Sequence, residues 1–252
     1  MSKLFHIAFF RKFAKKAYYT YVKWEEAYLS MLLSPERKVL AGMFKGLQYP
    51  QFESSGSGLF IKFIGSYEDE LQPFIQKLSV NNYSEIIDIG CAEGYYAVGL
   101  ANMFPQAKVY AYDIDKVALN RCRQMATLNK VNSRIELREK CDKIGLQNFP
   151  FTGNGLIICD CEGYEDELFD EATAKSLKNC DIIIELHDHL VPDIKFKIES
   201  AFKNTHKVEF VISRLKSVKD YPLFARLPLE YRQDKYLFER GTQMEWAVIT
   251  SY

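Results

Sequence analysis

Residues Ser84 to Ala101 constrain this chain more than any other stretch. An apolar strand (Ile86, Ile87, Ile89) runs into an acid, a glycine turn and a helix. A turn of this kind at the carboxyl end of a strand is where an open α/β sheet receives nucleotide-like ligands. Gly90 and Gly94, with Cys91 between them, let the backbone turn sharply and approach a ligand closely. Asp88 precedes Gly90 by two residues, where a carboxylate meets a cationic ligand group. The next strand, Lys108 to Asp113, alternates and ends on a second acid. It lies about 20 residues past the turn, where an acid accepts hydrogen bonds from ribose hydroxyls. A packing turn alone does not require two acids at neighbouring strand ends. The spacing Gly90-x-x-x-Gly94 is also wider than the G-x-G-x-x-G of nicotinamide sites.

Strands and helices alternate from there. Strand 84–89 leads to helix 94–104, strand 107–113 to helix 115–129, and strand 134–139 to an irregular stretch. Strand 155–160 leads to a helix around 164–178 and strand 181–187 to helix 192–204, with strands near 207–214 and 244–250 closing the sheet. This order predicts an α/β fold: a doubly wound, mostly parallel, seven-stranded sheet with right-handed crossovers. The 252 residues accommodate that domain over 81–252 and an N-terminal helical extension over 1–80. Within the extension, the Gly/Ser-rich loop 49–59 suits a flap over the ligand cleft or an ordinary surface loop. A helix is expected from Ser66 as N-cap to about Leu78, with Glu68, Asp69 and Glu70 in its first turn. Residues 217–241 read as loop and are expected to cap the substrate side.

Residues 3–33 show helical periodicity, with Phe10, Phe13, Ala14, Ala17, Tyr21 and Trp24 on one side and Arg11, Lys12, Lys15, Lys16 and Lys23 on the other. The favoured reading packs this helix on its own domain or on a homodimer partner. The other lays it on an acidic membrane surface. Lys+Arg 33 balances Asp+Glu 33, so there is no basic excess of the kind that duplex binding needs. Six scattered cysteines without a C-x-x-C pair suit reduced thiols in a cytoplasmic protein, and no zinc site is expected. Cys159 and Cys161 are read on opposite strand faces. No apolar run spans a membrane and no leader is recognisable, so the expectation is a cytoplasmic protein, peripheral at most to the inner face of a membrane.

A second chemical cluster follows. The strand Gly155 to Asp160 ends in acids, with Glu162, Gly163 and Glu165 in the turn after it. The strand Asp181 to His187 again ends in polar groups, and Glu185 and His187, two apart, share a face. If these strands are neighbours, Asp160, Glu185 and His187 converge beside the ligand cleft. One use is proton abstraction, for which His187 is best suited by its near-neutral pKa. Another is a divalent metal on the same three residues. Glu165 is read as a helix-start residue, and His189 as solvated.

The Asp88-x-Gly90-x-x-x-Gly94 form resembles the first motif of S-adenosylmethionine (SAM) methyltransferases. Lys45-Gly46, Tyr49-Pro50, Gly65 to Glu68, Asp160-x-Glu162-Gly163-x-Glu165 and Ile184 to Asp188 extend the likeness over roughly residues 40–250. Together they are similar to the FkbM-type family, which has a Rossmann-like sheet. The resemblance implies methyl transfer from SAM to an oxygen acceptor on a sugar, polysaccharide or natural product. In SAM methyltransferases the acid at the Asp88 position faces the methionine end of SAM; as a mechanistic expectation, Asp113 then holds the ribose hydroxyls, Ile114 lies against the adenine and Asp142, after the third strand, reaches the adenine amino group. The runner-up is a nucleic-acid methyltransferase, disfavoured because Asp-Cys-Glu-Gly stands after the fourth strand where DNA amino-methylases carry a Pro-Pro pair. A non-catalytic SAM-binding scaffold is the other alternative.

Overall fold

The computed structural model describes residues 20–239 and 243–252. Residues 20–33 are helical (α1), and the expectations for the basic face at residues 11–16 lie outside the described residues. The remaining elements are α2 (Leu59–Ile64), α3 (Gln72–Leu78), β1 (Glu85–Ile89), α4 (Tyr95–Met103), β2 (Lys108–Tyr112), α5 (Lys116–Leu128) and β3 (Ile135–Arg138). Then come α6 (Lys143–Gln147), β4 (Gly155–Cys159), α7 (Glu165–Leu168), α8 (Glu171–Ser176), β5 (Cys180–Leu186), α9 (Ile194–Phe202), β6 (His206–Ile212) and β7 (Glu245–Ser251).

The seven strands form one sheet in the order β3-β2-β1-β4-β5-β7-β6. β1 to β5 pair in parallel, and β7 runs antiparallel between β5 and β6. Every residue of β1, β4 and β5 is buried, as strands covered on both faces must be. Their side chains divide by the two-residue period. Ile86, Leu156 and Ile158 join a core with α4, α5 and residues 39–78, while Ile87, Ile89, Ile157 and Cys159 join a second core with α8 and α9. β1 lies between β2 and β4, so the strand order reverses there and opens a crevice at the carboxyl ends.

Three local expectations are corrected and one helix is added. Ser66 does not cap a helix: its hydroxyl bonds Ile61 O, a 3-10 turn spans Asp69–Leu71, and α3 begins only at Gln72, with Pro73 in its first turn. The expected helix over 164–178 is two helices, because Asp170 leaves helical geometry and caps α8 by accepting from Thr173 N. α2 was not foreseen: the run Leu59–Ile64 has no polar face, and all six residues are buried. Residues 218–237 fold as short 3-10 turns, and Tyr221, Phe224, Leu227 and Leu237 pack on Leu29, Leu33, Phe60 and Ile64. That segment covers α1 and α2 and contributes nothing to the cleft wall.

Candidate active site

The crevice at the strand ends holds a cleft of about 560 Å³. Its floor is the turn after β1. Gly90 N and Cys91 N both donate to Tyr112 O at 2.9 Å, which ties the turn to the end of β2. Gly90 has φ +85°, and a Cβ on it would lie 1.7 Å from Asp160 O, so only glycine lets the two strand ends meet here. Gly94 (φ +96°) opens α4, where a Cβ would meet Cys122 Sγ at 2.7 Å. Ala92, between them, also has positive φ at +48°. Non-glycine residues in that region are uncommon and concentrate at ligand clamps.

Asp113 completes the floor. Its Oδ2 accepts from Ala92 N at 2.9 Å and its Oδ1 from Asp115 N at 2.8 Å, so one carboxylate shapes both turns. Each of its oxygens keeps a second lone pair. Ile114, 83% exposed, presents an uncovered apolar face to the cleft. Asp88 is 2% exposed, and its Oδ2 has no hydrogen-bond partner among the described residues. Burial, reinforced by the charges of Asp160, Asp113 and Glu68, pushes its pKa up to about 8 against a hydrogen bond from the Ala97 backbone.

The N-terminal segment closes one side of the cleft through Ser55, Gly56, Ser57, Lys62 and Tyr67. Lys62 and Glu93 form a buried ion pair at 2.5 Å, each 3% exposed. Glu93 also accepts from Ser54 Oγ (2.7 Å), Ser55 N (2.9 Å) and Tyr49 Oη (3.3 Å). Burial opposes the Glu93 charge, but Lys62 and these hydroxyl and N–H donors outweigh it and hold the carboxyl below its usual range. The loop expected as either flap or plain surface is thus fastened to the glycine turn by a residue of that turn. Glu68, at 2% exposure and φ +46°, accepts a short hydrogen bond from Tyr96 Oη, which fixes a ring in the cleft wall.

Beyond Asp88, the ends of β4 and β5 bring Asp160, Glu185 and His187 together, with one ligand atom from each within 4.8 Å of the others. His187 is 2% exposed. Its Nδ1 pairs with Glu165 Oε1 at 2.7 Å, while Nε2 faces Glu162 Oε2 at 3.4 Å, Asp160 Oδ1 at 3.6 Å and Glu185 Oε1 at 3.7 Å. Burial alone would lower the His187 pKa, but the hydrogen bond and charge of Glu165, with Asp160 and Glu162, raise it. Burial likewise opposes the Glu165 charge, and His187 with the Gly163 N–H keeps that carboxyl below its usual range. Glu162 (φ +51°) and Gly163 (φ +100°) make a second strained turn directly after Asp160.

Of the sequence candidates, Asp88, Gly90, Cys91, Asp113, Ile114 and Asp160 line the cleft, and Glu185 and His187 stand behind Asp160. Asp142 does not reach it. That side chain caps α6 by accepting from Gly145 N at 2.7 Å, and Glu139, Lys140 and Cys141 form that wall instead. Cys159 and Cys161, expected on opposite faces, have their sulfurs 3.4 Å apart, as residues two apart on an extended chain should. Glu165, read as a helix-start residue, is fully buried against the imidazole. Lys62 and Glu93 were missed. The available signal was a lone lysine inside Leu59–Ile64, a charge that such burial forces to find a partner.

A family model described as a methyltransferase domain matches residues 81–239. No curated protein matches the sequence. Among solved structures, the chain resembles the precorrin-6y C5,15-methyltransferase of Geobacter metallireducens GS-15. That match has 16% identity and a TM-score of 0.53, over 73% of this chain and 88% of the other. The precorrin 8W decarboxylase of Methanobacterium thermoautotrophicum aligns over 73% and 90% with 15% identity and a TM-score of 0.49. An O-methyltransferase of Bacillus cereus, solved with SAH, aligns over 70% and 78% with 14% identity and a TM-score of 0.45. The first of these shares the fold, and the family match spans well over half of the 252 residues. The chain therefore belongs to the methyltransferase-domain family, the class that carries its methyl group on SAM.

Proposed function

We propose that this protein transfers the methyl group of SAM to a hydroxyl of a sugar, polysaccharide or natural-product acceptor, as its FkbM-type motifs imply. The observation that carries the reading is the convergence of Asp160, Glu185 and His187 directly beside the cofactor turn. A sugar hydroxyl is a poor nucleophile, so an enzyme acting on one gains from groups that take up its proton.

The residues present fit SAM. Asp88 offers a buried carboxylate oxygen without a partner, Asp113 has lone pairs to spare, and Ile114 gives an apolar face for the base. When bound, SAM supplies an electrophilic methyl on a sulfonium. The Asp88 carboxylate favours the cationic methionine end, and Gly90 and Ala92 bring backbone close to it. Asp160 is the member of the acid–histidine cluster that lines the cleft. It accepts the hydrogen bond of the acceptor hydroxyl, orients it and draws off its proton, with His187 and Glu185 behind it. Holding the acceptor in line and excluding water supplies much of the remaining rate. The Ser55–Ser57 loop and Tyr96 close that space.

Nucleic acid fits less well, because Asp115, Glu139, Asp160 and Glu162 all line the cleft and repel phosphate. The test is a methyl-transfer assay with labelled SAM against panels of glycosides, polyols, amines and RNA. Transfer to hydroxyl acceptors, lost in the Asp160→Asn variant while SAM binding persists, is the expected result. Transfer confined to amines or RNA refutes the acceptor class. Failure to bind SAM or S-adenosylhomocysteine in calorimetry refutes the cofactor reading.

A further inference from the structure

The imidazole of His187 has a divided environment. Nδ1 is committed to Glu165, which is itself fully buried and further fixed by the Gly163 N–H at 3.2 Å. Nε2 is buried, has no hydrogen-bond partner among the described residues, and points toward three carboxylates. A histidine whose Nδ1–H is held by a carboxylate presents Nε2 as a lone-pair donor. This is the arrangement that orients metal-bound histidines and raises their basicity.

Distances decide between a loose acidic patch and a coordination site. Two atoms each about 2.1 Å from one ion can be no more than about 4.2 Å apart. Nε2 lies 3.6 Å from Asp160 Oδ1 and 3.7 Å from Glu185 Oε1, inside that limit yet too far for a hydrogen bond, and one ligand atom from each of the three residues lies within 4.8 Å of the others, so a small inward turn of a carboxylate closes the set on an ion. Glu162 Oε2, at 3.4 Å, lies within the same limit on a side chain 69% exposed. It can swing in as a fourth donor or make way for a substrate oxygen. Asp160 borders the cleft, so an ion bound here would keep positions open toward the acceptor.

From this geometry we infer a divalent-cation site formed by Asp160, Glu185 and His187, with Glu165 as the positioning residue for the imidazole. Two carboxylates and one imidazole form a mixed hard and borderline donor set, which suits Mn²⁺ better than the all-oxygen preference of Mg²⁺ or the thiolate-rich sites of structural zinc. The inference deepens the methyl-transfer reading. The cation would polarise the acceptor hydroxyl and ease loss of its proton to Asp160 or to water, and no bond to the metal outlasts the transfer.

The test separates metal from cofactor. Full-length protein, free of SAM, is titrated with MnCl₂ while electron paramagnetic resonance reads the free ion. SAM binding is measured separately by calorimetry in EDTA. One Mn²⁺ per chain is expected, with affinity reduced at least tenfold in Asp160→Asn and in His187→Ala. Glu165→Gln, which keeps the side-chain shape, is expected to reduce it about 10–100-fold. Glu171→Gln, a surface carboxylate paired with Lys175, should leave it unchanged. Circular dichroism checks that each variant is folded. Absence of Mn²⁺ binding in wild type, or equal binding in His187→Ala and Glu165→Gln, overturns the site. SAM binding and hydroxyl methylation in EDTA would then leave the cluster as a purely protonic one.

Discussion

Replacing Lys62 with Met keeps most of the side-chain volume and removes the one cation paired with Glu93 among the described residues, and Glu93 stays 3% exposed. Breaking a buried pair this way costs about 3–5 kcal/mol, because the remaining carboxylate keeps its desolvation penalty. Glu93 retains Ser54 Oγ, Ser55 N and Tyr49 Oη as donors, so the lower end, about 3 kcal/mol, is expected. With a urea m value near about 3 kcal/mol/M, the midpoint should fall by about 1 M at pH 7. The double variant Lys62→Met/Glu93→Gln should recover a large part of this, since no charge stays buried while the Ser55 N–H keeps an acceptor. The pH dependence has a fixed sign. The folded pKa of Glu93 is depressed, so its stabilisation is present above the unfolded value near about 4.3 and is lost as pH falls through the folded one. The gap between wild type and Lys62→Met should therefore narrow in acid. Urea melts followed by far-UV circular dichroism check all three points. A single variant within about 1 kcal/mol of wild type at pH 7, or a double variant no more stable than the single, would refute the reasoning.

The other expectations concern the cleft. Asp88 has a folded pKa of about 8, far above its unfolded value. Its stabilisation of the ligand-free protein is therefore full in acid and lost as pH rises through about 8. Binding of cationic SAM at pH 7 should expel close to one proton from Asp88. Calorimetry in buffers of different ionisation enthalpy reads this, and equal release from Asp88→Asn would remove Asp88 from the cofactor contact. Gly90→Ala must adopt φ near +85° and push a methyl into Asp160 O, so turnover should fall about 100-fold or more; a fully active variant sinks the argument. Asp113→Ala removes the acceptor for Ala92 N and Asp115 N and should weaken SAM binding at least about tenfold by calorimetry. Unchanged affinity takes Asp113 out of the site.

Much of this architecture was legible because the signals were local. The apolar runs of β1, β4 and β5 read as buried strands, and the strand–helix alternation pointed to a doubly wound, mostly parallel sheet, whose strand order the structure supplied. Asp88 and Asp113 were legible because turn chemistry sets acids at strand ends, and both line the cleft. What escaped depended on distant partners. Lys62 and Glu93 are 31 residues apart, and neither side chain announces which partner it will take. Asp142 looked like a ligand residue by analogy, but an aspartate before a helix is equally a cap, and three-dimensional placement decided for the cap. Glu165 went the other way. Its position at a helix start suggested capping, whereas burial turned it onto His187.

The two charge clusters divide the labour of the cleft in a way that composition could not reveal. Glu93 is neutralised by Lys62 and so serves the fastening of the Ser54–Ser55 loop, a structural task. Burial, with the charges of Asp160 and Asp113 beside it, raises the pKa of Asp88. Such a surface binds a sulfonium and an ammonium well and an anion poorly. On the proposed reading, the cofactor product has lost the sulfonium charge after transfer, so these carboxylates would hold it less firmly than SAM.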